Sequence, residues 1–132
     1  MVLVDTSVLI DFFRQKRNEA VEKFEQALSR RIPFGINEWI YQEILQGASS
    51  EKDFQVLKKY LDTQVFYFLK RGRESFADAA RIYLRCRNQG ITLRSTIDCL
   101  IGQTAIENKL SLLHNDADFT RMAKVINELE IF

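Results

Sequence analysis

Apolar residues fall along this chain in short runs that switch between two spacings. Residues 2–4 (Val-Leu-Val) are an unbroken apolar run rich in Val, the pattern of a strand buried on both faces. Asp5-Thr6-Ser7 breaks that run with three small polar residues suited to a strand-to-helix turn, and Val8-Leu9-Ile10 with Phe12-Phe13 resumes it at the density of a short buried helix. Between 19 and 31, Ala20, Val21, Phe24, Ala27 and Leu28 make one helical stripe. Residues 32–36 read as a second strand with Pro33 near its start. A helix over 38–46 follows, capped by Asn37 and stopped by Gly47, and Phe54, Leu57 and Leu61 carry another that starts near Glu51.

β-Branched and aromatic residues over 64–69 mark a third strand. The longest helix is predicted over 74–88, with Phe76, Ala77, Ala80, Ile82, Tyr83 and Leu84 inward and Gly90 ending it. Residues 91–93 form a short extended piece, and Thr96 caps a helix through Glu107. Residues 110–113 are the fourth strand, 114–118 the turn after it, 119–124 a short helix, and 125–132 hold the last, edge strand. Strands alternating with helices predict an α/β domain with a mostly parallel sheet of about five strands, because parallel neighbours need crossover helices.

Composition narrows the class. A chain of 132 residues, 46% hydrophobic and 28% charged, is one globular domain covering 1–132. Nineteen Lys and Arg against 18 Asp and Glu leave a net charge of +1, so any nucleic-acid site must come from local segregation of charge. No apolar stretch approaches the ~20 residues of a membrane span, and no signal peptide is apparent, so a cytoplasmic protein without a membrane contact is expected. Cys86 and Cys99 lie in helical patterns without metal-ligand spacing and read as buried free thiols of a reducing compartment.

The acids carry the chemistry. Asp5 follows the first strand and Asp116 and Asp118 the fourth, where an open parallel sheet gathers its ligands. Glu43 lies within the apolar stretch 39–45, and Asp98 interrupts Ile97 and Cys99-Leu100-Ile101. Carboxylates in apolar surroundings are costly, and several together repel and raise one another's pKa. A hard divalent cation, Mg²⁺ or Mn²⁺, removes both problems and favours attack of water on a phosphoryl group. Each acid also has a plainer use: Asp5 as a helix cap, Glu43 on a helix surface, Asp98 complementing a helix dipole, Asp116 and Asp118 as turn formers. No Gly-rich phosphate loop is present. The single histidine, His114, suits a strand-end hydrogen bond and supports neither a zinc cluster nor, with Ser7, a nucleophilic triad.

The segments Val4-Asp5-Thr6-Ser7-Val8-Leu9-Ile10-Asp11, Ile40-Tyr41-Gln42-Glu43-Ile44-Leu45-Gln46-Gly47, Thr96-Ile97-Asp98-Cys99-Leu100-Ile101-Gly102 and Leu113-His114-Asn115-Asp116-Ala117-Asp118-Phe119 resemble, in order and spacing, PIN-domain ribonucleases. The likeness is strongest to VapC-type toxins of toxin–antitoxin pairs. It implies a three-layer α/β/α fold and cleavage of single-stranded regions of RNA, often a tRNA or rRNA loop, with Mg²⁺ or Mn²⁺. By the resemblance, Asp5, Glu43, Asp98 and Asp116 are the catalytic acids, and Asp5, Asp98 and Asp116 the metal ligands. Thr6 and Ser7 shape the first turn, Ser7 holding Asp5, while Asp118 supports the fourth acid or takes its place. The implied partner is a VapB-type antitoxin within a homodimer or higher assembly. Trp39, Tyr41, Phe12 and Phe13 lie on elements that border the antitoxin and dimer surfaces in the family, with core packing as their plainer use.

RNA approaching such acids needs a basic rim. Arg14, Lys16 and Arg17 after the first helix are candidates, and so is Arg94, which stands where many relatives have a small or Pro-rich stretch. The 70–73 and 85–87 basic clusters read as solvated helix faces. Two other functions share the pattern: a PIN-like nuclease of RNA processing or DNA metabolism, and a PIN fold that only binds RNA. A phospho-accepting switch domain is a poor fit, lacking an acidic pair after the first strand and a Lys after the last core strand.

Overall fold

The computed structural model describes residues 1–132. Five strands, β1 (Val2–Val4), β2 (Phe34–Ile36), β3 (Val65–Phe66), β4 (Ser111–Leu113) and β5 (Glu130–Ile131), pair in the order β3-β2-β1-β4-β5. Every pairing is parallel, with Val2 opposite both Phe34 and Ser111. Seven helices connect them: α1 (Thr6–Phe13), α2 (Glu19–Ser29), α3 (Glu38–Gln46), α4 (Glu51–Leu61), α5 (Arg73–Asn88), α6 (Thr96–Glu107) and α7 (Ala117–Val125). The α/β expectation therefore holds, and the sheet is wholly parallel.

Chain direction across the sheet reverses at β1: β2 and β3 lie to one side, β4 and β5 to the other. Right-handed crossovers then place α1–α4 on one face and α5–α7 on the opposite face. Packing agrees, since α1 lies on α2 and α3, α3 on α4, and α5 and α6 on each other and on α7. Leu3, Val4, Ile36, Leu112 and Leu113 are buried between these layers with Phe24, Ile101 and Phe119. Val-Leu-Val reads as continuously apolar because both its faces meet helices. The reversal leaves a crevice outside the carboxyl ends of β1 and β4, the place where such sheets bind ligands.

Departures from the sequence reading are local. The third strand was expected over 64–69, but only Val65–Phe66 pairs, with one further ladder bond from Tyr67 N to Ile36 O at 2.8 Å. The aromatics of this edge stack on each other and on α3 instead of extending the ladder: Phe66 lies 5.6 Å from Tyr41 and 6.4 Å from Phe68. The last strand is also short, because α7 runs from Ala117 to Val125, two residues earlier than expected, and only Glu130–Ile131 remains to pair. Ser95, not Thr96, caps α6, its side chain accepting from Ile97 N at 3.2 Å. Gly90 closes α5 as expected, at φ +77°, whereas Gly47 ends α3 at φ −82° without using a left-handed turn.

The buried face of α5 is the largest revision. Ser75, Ala79, Ile82 and Cys86 point inward, while Phe76 stays 49% and Leu84 43% exposed. Three of the four inward residues are small, which lets α5 lie close against α6. A stripe of small residues is a weaker apolar signal than the Phe and Leu beside it. Cys86 and Cys99 are buried free thiols, as expected.

Candidate active site

The turn that leaves β1 is held by its own side chains. Asp5 N donates to Leu113 O at 2.9 Å, joining the ends of β1 and β4. Asp5 then caps α1: its Oδ2 accepts from Ser7 N at 3.0 Å and from Ser7 Oγ at 2.6 Å. Ser7 Oγ in turn accepts from Asn115 N at 3.0 Å, so one hydroxyl bridges the two strand ends. The capping use of Asp5 and a site use are thus compatible, since both bonds fall on Oδ2. Thr6 does more than shape the turn: its Oγ1 donates to Glu43 Oε1 at 3.1 Å. Replacing Ser7 by Ala is expected to leave the fold intact and cut kcat about 10–100-fold at unchanged KM, because the group orienting Asp5 is lost. Steady-state cleavage kinetics check this.

Glu43 and Asp98 arrive on α3 and α6, which a buried polar link fixes together. Asn37 caps α3, accepting from Ile40 N at 2.9 Å, and donates to Thr104 Oγ1 at 3.2 Å, which donates to Leu100 O at 2.8 Å. Asp98 lies half-buried in the first turn of α6. Asp116 caps α7, its Oδ1 accepting from Asp118 N at 2.9 Å, while its own N–H donates to His114 Nδ1 at 3.1 Å. That is the strand-end role expected of the histidine.

Four carboxylates from four elements now share one field. Burial pushes Asp98 up to about 7, and the charges of Asp5, Asp116 and Glu43 push in the same direction against a smaller opposing effect of Arg94. Burial also raises Asp5, beyond what its hydrogen bonds to Ser7 offset, with a further push from Asp116. Glu43 is raised by burial and by Asp5, against the hydrogen bond from Thr6. Such mutual repulsion at a crevice marks a candidate functional site.

No three His, Cys, Asp or Glu side chains converge into a preformed metal cage. The donor set nonetheless fits a hard cation. All four groups are carboxylates, and Mg²⁺ keeps most of its waters while taking one or two carboxylates directly. A cation would also relieve the repulsion that the fold leaves in place.

Asp118 points elsewhere. It is 1% exposed and accepts from Arg94 N at 3.2 Å, from Arg94 Nε at 3.0 Å and from Arg121 Nη2. Asp116, not Asp118, therefore shares the field of Asp5 and Asp98. Among the expected rim cations, Arg17 pairs with Glu25 at 2.6 Å and Lys16 lies 4.0 Å from Asp11. Arg14 is exposed and free of ion pairs, but α1 carries it roughly 13 Å along its axis from Asp5.

Phe12 packs edge-on against Phe24 at 5.0 Å, Phe13 against Tyr60 at 5.2 Å, and Trp39 against Phe76 at 6.1 Å, so all three are half-buried. Asp11, a motif residue given no role from sequence, binds Asn18 Nδ2 at 3.0 Å and Asn115 Nδ2 at 3.4 Å and braces the same loop. Its repeat of an acid at the far end of the first motif was the available signal. In the Arg94–Asp118–Arg121 grouping, the i,i+3 spacing of Asp118 and Arg121 on α7 was the available signal, while Arg94 is distant in sequence and gave none.

The family model of the PIN domain matches residues 2–125. The chain is 32% identical over 128 residues to Ribonuclease VapC11 of Mycobacterium tuberculosis, covering 96% of this chain and 95% of that protein. Among solved structures, VapBC2 from Rickettsia felis bound to a DNA fragment from its promoter superposes with a TM-score of 0.74 at 14% identity, covering 100% of this chain and 98% of that one. A toxin–antitoxin complex from Klebsiella pneumoniae gives a TM-score of 0.67 at 23% identity over 99% of this chain and 100% of that one.

Proposed function

This chain belongs to the PIN domain family, and from that premise we propose that residues 1–132 form a single PIN domain acting as a metal-dependent endoribonuclease, the toxin of a type II toxin–antitoxin pair. The observation that carries the reading is the field shared by Asp5, Glu43, Asp98 and Asp116 at the crevice between β1 and β4. The ribonuclease named above supports the RNA substrate, and the toxin–antitoxin complexes of the same fold support a VapB-type antitoxin, with which the chain would form a homodimer-based or higher assembly. Two free buried thiols suit a cytoplasmic setting, and no helix is long and apolar enough to cross a membrane.

Asp5, Asp98 and Asp116 would hold Mg²⁺ or Mn²⁺. Bound there, the cation supplies a nucleophile at neutral pH and neutralises charge developing on the phosphoryl oxygens. Ser7 keeps Asp5 Oδ2 fixed with two hydrogen bonds. Thr6 orients the Glu43 carboxyl through Oε1, and the raised proton affinity of this group suits it to take up the proton of the attacking water. In-line displacement leaves a 3′-hydroxyl and a 5′-phosphate.

Induction of the chain in a bacterial host tests the toxin reading. Growth should stop, and co-expression of a cognate VapB-type antitoxin should restore growth. Offered RNA and DNA of the same single-stranded sequence, the purified chain should cut only the RNA. Unimpaired growth together with cleavage confined to DNA would overturn the reading.

A further inference from the structure

Asp118 is a buried carboxylate that takes two arginines where one neutralises it. Its Oδ2 accepts from Arg94 N at 3.2 Å and Arg94 Nε at 3.0 Å, and its Oδ1 from Arg121 Nη2. The anchor is 1% exposed, yet the Arg94 side chain is 73% and the Arg121 side chain 42% exposed. Both heads remain in solvent, and Arg94 Nη2 reaches Asp116 Oδ1, one of the four acids, only loosely, at 3.4 Å. Arg94 Nη1 and Arg121 Nε and Nη1 bond to no protein group. Arg17 and Arg85 differ, since each is spent on an exposed carboxylate, Glu25 and Glu128, whereas Arg71 shares the pattern on Glu107, at the other end of α6 from Asp98.

We propose that Arg94 and Arg121 form a two-arginine clamp for the phosphate backbone of single-stranded RNA beside the scissile bond, with Asp118 the positioning residue that holds both guanidinium groups. The clamp rests on the nuclease reading above and names its substrate contacts. The guanidinium fork matches phosphate oxygens with two parallel donors, and a buried partner fixes its orientation before RNA arrives. The Arg94 head, against Asp116 at the edge of four repelling acids, also offsets the barrier those acids pose to a polyanion. Asp118 thereby acts through the arginines and is not itself a site acid.

Binding of a short fluorescent single-stranded RNA in EDTA, at a series of KCl concentrations, reads the clamp without cleavage. Arg94→Ala and Arg121→Ala should each weaken binding about 5–10-fold at low salt and flatten the salt dependence by about 0.7 in the log–log slope. Arg94→Lys should recover the slope but only part of the affinity. Asp118→Asn should weaken binding about as much as one arginine loss, and add little once Arg94 is already Ala. Unchanged slopes in both arginine variants beside a binding parent would overturn the clamp alone. So would Asp118→Asn binding as tightly as the parent or tighter while losing Mg²⁺-dependent cleavage, the behaviour of a cation ligand. A parent chain that binds no RNA would overturn the nuclease reading itself.

Discussion

Asp98→Asn is expected to abolish RNA cleavage and at the same time stabilise the cation-free protein at alkaline pH. Activity should fall by roughly 10²–10³-fold, because Asp98 is a proposed cation ligand and Asn brings no charge to it. The stability change follows from the raised pKa. Asp98 titrates near about 7 in the fold, against 3.8 for its ordinary value, because burial and the charges of Asp5, Asp116 and Glu43 disfavour the carboxylate. Between those two pH values the folded state binds more protons than the unfolded one. Stability contributed by this group is therefore present at low pH and lost as pH rises through about 7. Asn removes the loss. The group is half-buried, so solvent screening trims the effect to roughly 1–2 kcal/mol at pH 8, a Tm rise of several degrees that vanishes near pH 4. Thermal melts of both proteins across that range, in EDTA, check the sign. Excess Mg²⁺ should narrow the gap at pH 8 by stabilising only the parent.

Gly35→Ala is expected to be the most damaging of the glycine-to-alanine changes in the molecule. A Cβ at Gly35 would stand 2.5 Å from Val65 O and 2.6 Å from the Tyr67 ring. The first of these is the backbone of β3, which cannot recede without breaking its ladder to β2. Overpacking against backbone costs about 3 kcal/mol, a large share of the roughly 5–15 kcal/mol that holds a domain of this size. Gly102→Ala makes the comparison, since its new methyl would meet the flexible Met122 Sδ at 3.0 Å and should cost under about 1 kcal/mol. Denaturant midpoints of the two variants rank them. The first should also lose activity, because β2 leads through Asn37 into the helix that carries Glu43.

What could be read from the sequence depended on how local its cause was. Val2-Leu3-Val4 and the Asp5-Thr6-Ser7 turn were legible because burial on both faces, a break and a cap all act within a few residues. The sheet followed from alternation alone, and its family from four ordered motifs. Strand lengths at β3 and β5 were not legible, since an edge strand ends where its neighbour stops offering partners. The inward face of α5 was misread because Ser75, Ala79 and Cys86 are chosen for fit against α6, not for hydrophobicity. Within the candidate site, the different surroundings of Asp116 and Asp118 depend on Arg94, which only the fold brings to the carboxylate that Arg121 already neighbours on α7.

Cleavage of total RNA by the purified chain with Mg²⁺, with Mn²⁺ and with EDTA, beside Asp5→Asn, bears most directly on the carboxylate site. Asp5 is the acid that the β1 turn, Ser7 and the end of β4 all position. Discrete cuts with either cation, absent in EDTA and absent in Asp5→Asn, are the predicted result. Cutting that persists in EDTA and in the variant would contradict the account, placing the chemistry outside this crevice and independent of a cation.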